Sequence, residues 1–355
     1  MSLEVKLNIP RRDFDVNVSL EVTPGQVTAV FGPSGCGKTS LMRAIAGLEN
    51  TANGDVKMAG EIWQDADFFR PPHQRDVGYV FQDASLFPHL DVYNNLQFGL
   101  KRQVSDKRRV SLEQAIDLLA LSPLLKRRID KLSGGEKQRV AIARAVATSP
   151  SVLLFDEPLA AVDIPHKQEI LRYIQSLHQE LDIPMLYVSH AIEEVARLSD
   201  NLVLLDKGQQ LASGETVDLL SQLNLPFARY EEAAAVVDSE VAGHEQDYGL
   251  SLLRFAGGHI RVTRSELALG SRVRVRILAR DVSLTLSHPE DSSILNIFPA
   301  VVESMVADGT ALRLVRLNAG GQIILSRVTA KSADKLGLVP GKYIYAQVKA
   351  VSPLV

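Results

Sequence analysis

Cysteine is almost missing from this sequence: Cys36 is the single one among 355 residues. No internal disulfide can form, and no repeated Cys/His spacing of a structural zinc site is present. A reducing compartment fits this usage. An excess of either charge is also lacking, since 39 Lys+Arg stand against 42 Asp+Glu for a formal net charge of -3. Without a global positive field, nucleic acid is not expected as a partner. Nowhere do ~18 apolar residues run uninterrupted. The start, MSLEVKLNIPRRDF, has neither an apolar signal core nor a small-residue cleavage site. The chain is therefore expected to be neither secreted nor membrane-spanning by itself. There is no low-complexity tract and no solenoid repeat. What is present is 46% hydrophobic residues over a length that supports two domains.

To about residue 230, strand-like runs alternate with helical patterns. QVTAVF (Gln26 to Phe31), SVLLF (Ser151 to Phe155) and MLYVS (Met185 to Ser189) are short and apolar throughout, as strands buried on both faces are. Between the last two, Ile170, Ile174, Leu177 and Leu181 form one stripe at helical spacing, which predicts a βαβ unit and a largely parallel sheet. Residues 231–247, EEAAAVVDSEVAGHEQD, carry no Lys or Arg and no long apolar stripe, and are read as the domain boundary. Beyond it, RVRVRILA, VSLTL, ALRLVRL, GQIILS and YIYAQVKAV alternate and are separated by turn residues, which predicts a small antiparallel β domain, a barrel. The division expected is 1–230, then 231–289 as linker and first strands of a β regulatory region, then 290–355.

Directly after QVTAVF comes GPSGCGKT: Gly32, Pro33, Ser34, Gly35, Cys36, Gly37, Lys38 and Thr39. This is G-x-x-x-x-G-K-[ST] between a strand and a helix, the context the phosphate-binding loop requires. The glycines let backbone N–H groups close around phosphate oxygens, and the helix N-terminus adds its positive end. Lys38 supplies a point charge, Thr39 a hydroxyl for Mg²⁺, and Cys36 is a small residue at a variable position. SVLLFDE then ends a buried strand with Asp156 and Glu157, where open α/β sheets place their ligands. An aspartate there can hold Mg²⁺ while the glutamate polarises water. The next strand delivers His190 within reach of such a site.

Leu132 to Gln138 reads LSGGEKQ. Together with GPSGCGKT, Gln82 in VFQDASLFPHL, LLFDEP, Asp163 and His190, it resembles the nucleotide-binding subunit of ATP-binding-cassette (ABC) transporters, with every motif in order over roughly residues 1–230. The resemblance implies an α/β P-loop NTPase with a helical subdomain, and a head-to-tail homodimer that sandwiches ATP between the loop of one chain and LSGGEKQ of the other. In that scheme Ser133, Gly134, Gly135 and Gln138 act on the partner's nucleotide. Thr39, Gln82 and Asp156 attend Mg²⁺, Gln82 also serving catalysis. Glu157 is the general base or water-orienting carboxylate, His190 senses the γ-phosphate, and Asp163 links the two sites. Independently, Ser133 to Gly135 open a helix, EKQRVAIARAVA, and so form an anion site that lacks its own lysine. The aromatic that stacks on adenine in the family has no clear counterpart: Phe14 alternates with Val16, Val18 and Leu20 as a core residue, and Arg11 or Arg12 remain alternatives.

In the family, the region FQDASLFPHL receives a membrane permease subunit, here near Phe87, Pro88 and Leu90. The basic runs at 107–109 and 126–128 are solvated faces or lie near lipid headgroups. The stretch from Asp156 to Asp200 is similar to molybdate-importing members of the family. SSILNIFPAVVESM and LVPGKYIYAQVKAVS resemble their tail, a Mop/TOBE-type barrel of the oligonucleotide/oligosaccharide-binding kind that recognises oxyanions. Leu295 replaces the arginine of that motif, and Pro299 and Ala300 stand where its glycine is sought. The donors left are Ser292, Ser293, Asn296, Lys349 and Ser352. The resemblance implies an importer ATPase peripheral to the cytoplasmic face of the cell membrane, with ATP and Mg²⁺ as cofactors and a periplasmic or extracellular oxyanion-binding protein in the complex. Sulfate, ferric ion, sugar and polyamine importers, and soluble ABC ATPases, are the alternatives.

Overall fold

A computed structural model describes residues 2–100, 110–160, 162–263 and 267–354. The first basic run, 107–109, lies outside the described residues. The chain divides into two compact units, Met1–Glu215 and Thr216–Val355.

In the first unit, β1 (Leu3–Ile9), β2 (Val16–Val22), β3 (Val27–Phe31), β4 (Asn53–Met58), β5 (Glu61–Gln64), β6 (Val77–Val80), β7 (Val152–Asp156), β8 (Met185–Ser189), β9 (Asn201–Asp206) and β10 (Gln209–Glu215) form one sheet, ordered β5-β4-β1-β2-β10-β9-β3-β8-β7-β6. The parallel part, β9-β3-β8-β7-β6, contains all three strands expected from the sequence, and each residue of β3, β7 and β8 is buried. The antiparallel flank of β1, β2, β4 and β5 shows the burial alternation of a half-covered sheet, most regularly in β1 and β2.

Two hydrophobic layers cover the sheet. Among the described residues the α-helices of this unit are α1 (Lys38–Ile45), α2 (Val92–Leu100), α3 (Leu112–Leu118), α4 (Gly134–Ala147), α5 (Ile164–Glu180) and α6 (Ile192–Leu198). Leu153 and Phe155 of β7 pack with Ile142, Val146, Ile170 and Ile174 of α4 and α5. Val152 and Leu154 face the other layer, with Leu41, Met42 and Ile45 of α1. The period-2 alternation of a strand thus sends neighbours to opposite faces. Helices α1 and α4, each starting at a glycine-rich segment, therefore belong to different layers. Ile170, Ile174 and Leu177 are buried along α5, the predicted stripe, with Leu181 partly buried beside them. Phe14 packs on the α1-side layer, as a core residue would.

The second unit holds α7 (Thr216–Leu220), β11 (Ala234–Glu245), β12 (Leu250–Phe255), β13 (Gly258–Val262), β14 (Arg272–Leu278), β15 (Val282–Thr285), β16 (Asn296–Asp308), β17 (Leu312–Ala319), β18 (Gln322–Thr329), α8 (Ala330–Leu336), β19 (Tyr343–Val348) and β20 (Ser352–Pro353). Its sheets, β13-β12-β11-β14-β20 and β15-β19-β16-β17-β18, share one core that includes Val237, Val275, Ile277, Phe298, Val315 and Ile344. The segment read as a boundary is mostly strand β11, because Ala234 to Val237 are buried on both faces and the rest alternates. Residues 231–289 pair with the end of the chain: Val275 opposes Pro353 and Val282 opposes Val348. They belong to the same core as 290–355. A short alanine-rich run carries too little periodicity to announce a strand, and its partners lie far along the chain.

Candidate functional site

The glycine-rich loop leaves β3 and enters α1 through Gly35 at φ 80° and Gly37 at φ 108°. A side chain at Gly37 would also strike Val16, so only glycine fits there. Lys38 is buried, and its ammonium donates to the carbonyls of Gly32 at 2.8 Å and Pro33 at 3.0 Å. It also lies 3.5 Å from Oε1 of Glu157. Ser34 stays exposed on the loop, whereas Cys36 is buried beside Gly32 and burial pushes its thiol pKa up. An inert, packed thiol is what such a position gives.

Asp156 ends β7 almost fully buried, and accepts from Thr39 Oγ1 at 3.0 Å and Tyr79 Oη at 2.9 Å. Burial raises its carboxyl pKa, opposed by those two donors. Burial, with Asp156 alongside, raises the Tyr79 phenol as well, so Tyr79 remains a neutral donor. Glu157 follows at φ 46°, a conformation uncommon for a residue with a side chain, and its amide donates to Val188 at 3.1 Å. That bend separates the two acids: Asp156 meets Thr39, while Oε2 of Glu157 lies 3.2 Å from Nδ1 of His190. Lys38, Thr39, Asp156, Glu157 and His190 are thus brought to the carboxyl ends of β3, β7 and β8. Gln82 lies exposed just beyond β6, the strand next to β7.

LSGGEKQ begins α4 as a capping box. Ser133 Oγ accepts from the Glu136 amide at 3.2 Å, and a Glu136 carboxylate oxygen accepts from the Ser133 amide at 2.7 Å. The Ser133 amide is therefore engaged within its own turn, leaving Gly134 and Gly135 as the first helical residues. A side chain at Gly135 would press on His166, which is bonded to Asp163 at 2.7 Å. Gln138 departs from expectation: it is 3% exposed and turns its amide toward the Phe81 carbonyl, so it does not present itself to a nucleotide on another chain.

Phe87, Pro88 and Leu90 form a loop tied down by one buried amide. Asn95 accepts from the Phe87 amide at 2.8 Å and donates to the carbonyls of Phe87 and Asp91 at 3.1 and 2.9 Å. The Phe87 ring packs against Phe98 at 4.1 Å, and Arg144 lies 5.3 Å over it. Arg11 is bound to Ser40 and Glu49, whereas Arg12 is exposed.

Residues 16–160 match the family model described as ABC transporter, and 292–354 match the TOBE domain. The molybdenum import ATP-binding protein ModC of Aromatoleum aromaticum is 53% identical over 343 residues, 96% of this chain and 91% of that one. Its counterpart in Azotobacter vinelandii is 50% identical over 355 residues, 99% and 98% of the two chains. The chain belongs to the ABC transporter ATP-binding family. Among solved structures, a bacterial Atm1-family ABC exporter with ATP bound is 27% identical, with a TM-score of 0.53 over 64% of this chain and 40% of that one. The cbiO1 subunit of a Clostridium perfringens ABC transporter complex, 24% identical, shares the fold with a TM-score of 0.52 over 64% of this chain and 96% of its own. An ABC ATPase domain binds ATP, and an importer's ATPase works with membrane permeases. Among the described residues, no helix is long and apolar enough to cross a membrane.

The ABC ATPase carries its TOBE segment within the second unit, where the five candidate oxyanion donors are spread. Asn296 is buried and spans Arg261, accepting from its amide at 2.7 Å and donating to its carbonyl at 3.0 Å. It cannot turn to an anion without breaking both bonds. Ser292 Oγ accepts from the Ile294 amide at 3.1 Å, and Ser293 and Lys349 are exposed. Ser352 belongs to the other sheet, opposite Arg276. Missed from the sequence were Tyr79, Asn95 and Glu194, polar residues inside helical or strand patterns: Tyr79 and Glu194 meet Asp156 and Lys167 far along the chain, and Asn95 holds the loop just before its own helix.

Proposed function

We propose that this protein is the energising subunit of a molybdate importer, hydrolysing ATP to drive oxyanion transport through partner permeases. The observation that carries the reading is the similarity along the whole chain, second unit included, to molybdenum import ATP-binding proteins; Lys38, Thr39, Asp156, Glu157 and His190, gathered at the strand ends, support it. The loop amides and Lys38 hold the β- and γ-phosphates, the ammonium exchanging its carbonyl partners for phosphate oxygens. Thr39 and Asp156 already share a hydrogen bond, and with Gln82 they make an all-oxygen donor set suited to Mg²⁺, a hard cation that keeps waters and phosphates as its remaining ligands. Bound there, the ion would neutralise charge on the phosphates. Glu157 takes the proton of the attacking water, and His190, beside it, faces the γ-phosphate.

Ser133, Gly134 and Gly135 serve the nucleotide of a second copy. Their helix lies in a different layer from α1, which suits a homodimer with shared sites and Asp163 at the junction. Gln138 supports this segment from within its own chain. Phe87, Pro88 and Leu90 receive the permease, and a periplasmic or extracellular oxyanion-binding protein delivers cargo. The ATPase sits on the cytoplasmic face, as a peripheral subunit.

The test is ATP-driven uptake of labelled molybdate in vesicles carrying the full complex, with sulfate, tungstate and ferric ion as competitors. Inhibition by unlabelled molybdate at concentrations where sulfate and ferric ion have no effect supports the assignment. Equal competition by sulfate, or no molybdate uptake beside robust ATP hydrolysis, overturns it.

A further inference from the structure

Glu194 is a 4% exposed carboxylate on α6 that the site described above leaves without a task. Two of its partners come from one strand end: Oε2 accepts from Tyr187 Oη at 2.7 Å and from Ser189 Oγ at 2.8 Å. The other oxygen pairs with the Lys167 ammonium. Ser189 Oγ in turn accepts from the Ala191 amide at 3.0 Å. Ser189 and Ala191 are the immediate neighbours of His190, so one side of the turn that presents this histidine is bonded to the carboxylate and the other is tied to it through the Ser189 hydroxyl. Lys167 belongs to the first turn of α5, and its backbone amide donates to the Asp163 carbonyl at 2.9 Å. The chain of bonds therefore runs from the Asp163 turn through Lys167 and Glu194 to the His190 turn, joining α5, α6 and β8.

Stability alone accounts poorly for this arrangement. A buried ion pair recovers little beyond its own desolvation cost, and apolar side chains of similar volume often hold a core as well or better. What a fully satisfied polar cluster does provide is one geometry in place of several. His190 has few other restraints: its side chain is half exposed, with Glu157 as its polar partner.

We propose that Glu194 is a positioning residue that fixes the His190 turn relative to the start of α5, and that Ser189 is the hydroxyl through which it acts. The inference rests on the reading of His190 as the γ-phosphate contact. It adds that the orientation of His190 is set from behind by a carboxylate that touches neither nucleotide nor water at the reaction centre.

The experiment uses the full chain assembled with its membrane subunits, and four variants: His190→Ala, Glu194→Gln, Ser189→Ala and Ser189→Thr. Ser189→Ala removes the hydroxyl link without disturbing the buried carboxylate's other partners, so it decides the matter even if Glu194→Gln fails to fold. A catalytic group displaced by about 1 Å can cost 10²-fold, so kcat in Ser189→Ala should fall by roughly 10- to 100-fold with KM for ATP within about twofold of the parent. Ser189→Thr, which keeps the hydroxyl, should return kcat to within about threefold of the parent. The imidazole resonances of His190 in the isolated full chain should move or broaden in Ser189→Ala and Glu194→Gln and stay in place in Ser189→Thr. Parent-like kcat and unmoved imidazole signals in Ser189→Ala, beside an impaired His190→Ala, overturn the inference and leave the role of His190 standing. A fully active His190→Ala overturns that role and, with it, the inference. A lowered melting temperature with unmoved His190 signals and unaltered kcat in the folded fraction marks the cluster as packing only, and also overturns it.

Discussion

Glu157→Gln exchanges one carboxylate oxygen for an amide nitrogen and removes one negative charge from between two basic side chains. Glu157 lies 3.5 Å from the Lys38 ammonium and 3.2 Å from the His190 ring. Two consequences follow, with opposite signs for binding and for catalysis. A positioned general base contributes about 10²- to 10⁴-fold, so its loss should lower the hydrolytic rate by at least 10²-fold, about 3–5 kcal/mol on the barrier. ATP binding should not weaken. At 3.5 Å and an effective dielectric constant of about 20, the attraction of Glu157 for Lys38 approaches 5 kcal/mol before desolvation is subtracted. That attraction competes with phosphate for the same ammonium, and the carboxylate itself repels phosphate. A net relief of about 1.4 kcal/mol would tighten ATP tenfold. Single-turnover hydrolysis and equilibrium titration with ATP, both on the full chain, separate the two effects, and the ATP-bound dimer should persist on size-exclusion chromatography. Turnover within threefold of the parent would remove Glu157 from the chemistry. A loss of ATP affinity as large as the loss of rate would mean that the substitution had disturbed the Lys38 loop, and that the assignment of a proton-transfer role was unsupported.

Mixing Ser133→Arg with Lys38→Ala protein places one intact composite site in a heterodimer, so partial ATPase recovery absent from either parent is expected if sites are shared between chains; mixed dimers shown to form yet inactive at all ratios would argue against independent sites. Arg75 is buried without a carboxylate partner among the described residues, donates to the carbonyls of Ala44, Ile45, Trp63 and Arg70, and has its pKa drawn down to about 10 by burial, so it is still charged at neutral pH. Arg75→Met takes the charged donor away from all four carbonyls, of which those of Ala44 and Trp63 keep the amides of Gly47 and Arg70, for an expected cost of roughly 2–4 kcal/mol and a fall of about 5–15 °C in the melting temperature of the nucleotide-binding unit by calorimetry; an unchanged transition would show that water replaces the guanidinium. Because burial raises the Cys36 thiol pKa, the thiolate fraction at pH 7.5 is smaller than in a free cysteine, and alkylation by iodoacetamide should be slower than for glutathione and accelerate as pH rises. A rate at pH 7.5 matching the free thiol would contradict the packed position of Cys36.

The sequence by itself determined the family, and the reason is that the motifs that carry it are local. GPSGCGKT and LSGGEKQ are contiguous glycine-bearing segments that open helices, and LLFDE is an apolar strand ending in two carboxylates, so each is legible without its distant partners. The three central strands were legible for a related reason, because burial on both faces leaves an unbroken apolar run. Tertiary structure alone decided which polar side chains stand behind these motifs. Tyr79 reaches Asp156 only because β6 lies beside β7, and Glu194 meets Ser189 and Lys167 only because α6 folds back against β8 and α5. Asn296 and Gln138 show the converse: as residue types they suit a ligand, and the register of β16 and the packing of α4 turn both onto backbone of their own chain. The placement of 231–289 was decided the same way, since β11 and β14 are strands by virtue of partners elsewhere in the chain, β14 pairing with β20 near its very end. Short-range pattern specifies backbone that binds through its own amides; the pairing of distant strands and helices specifies which side chains hold that backbone in place.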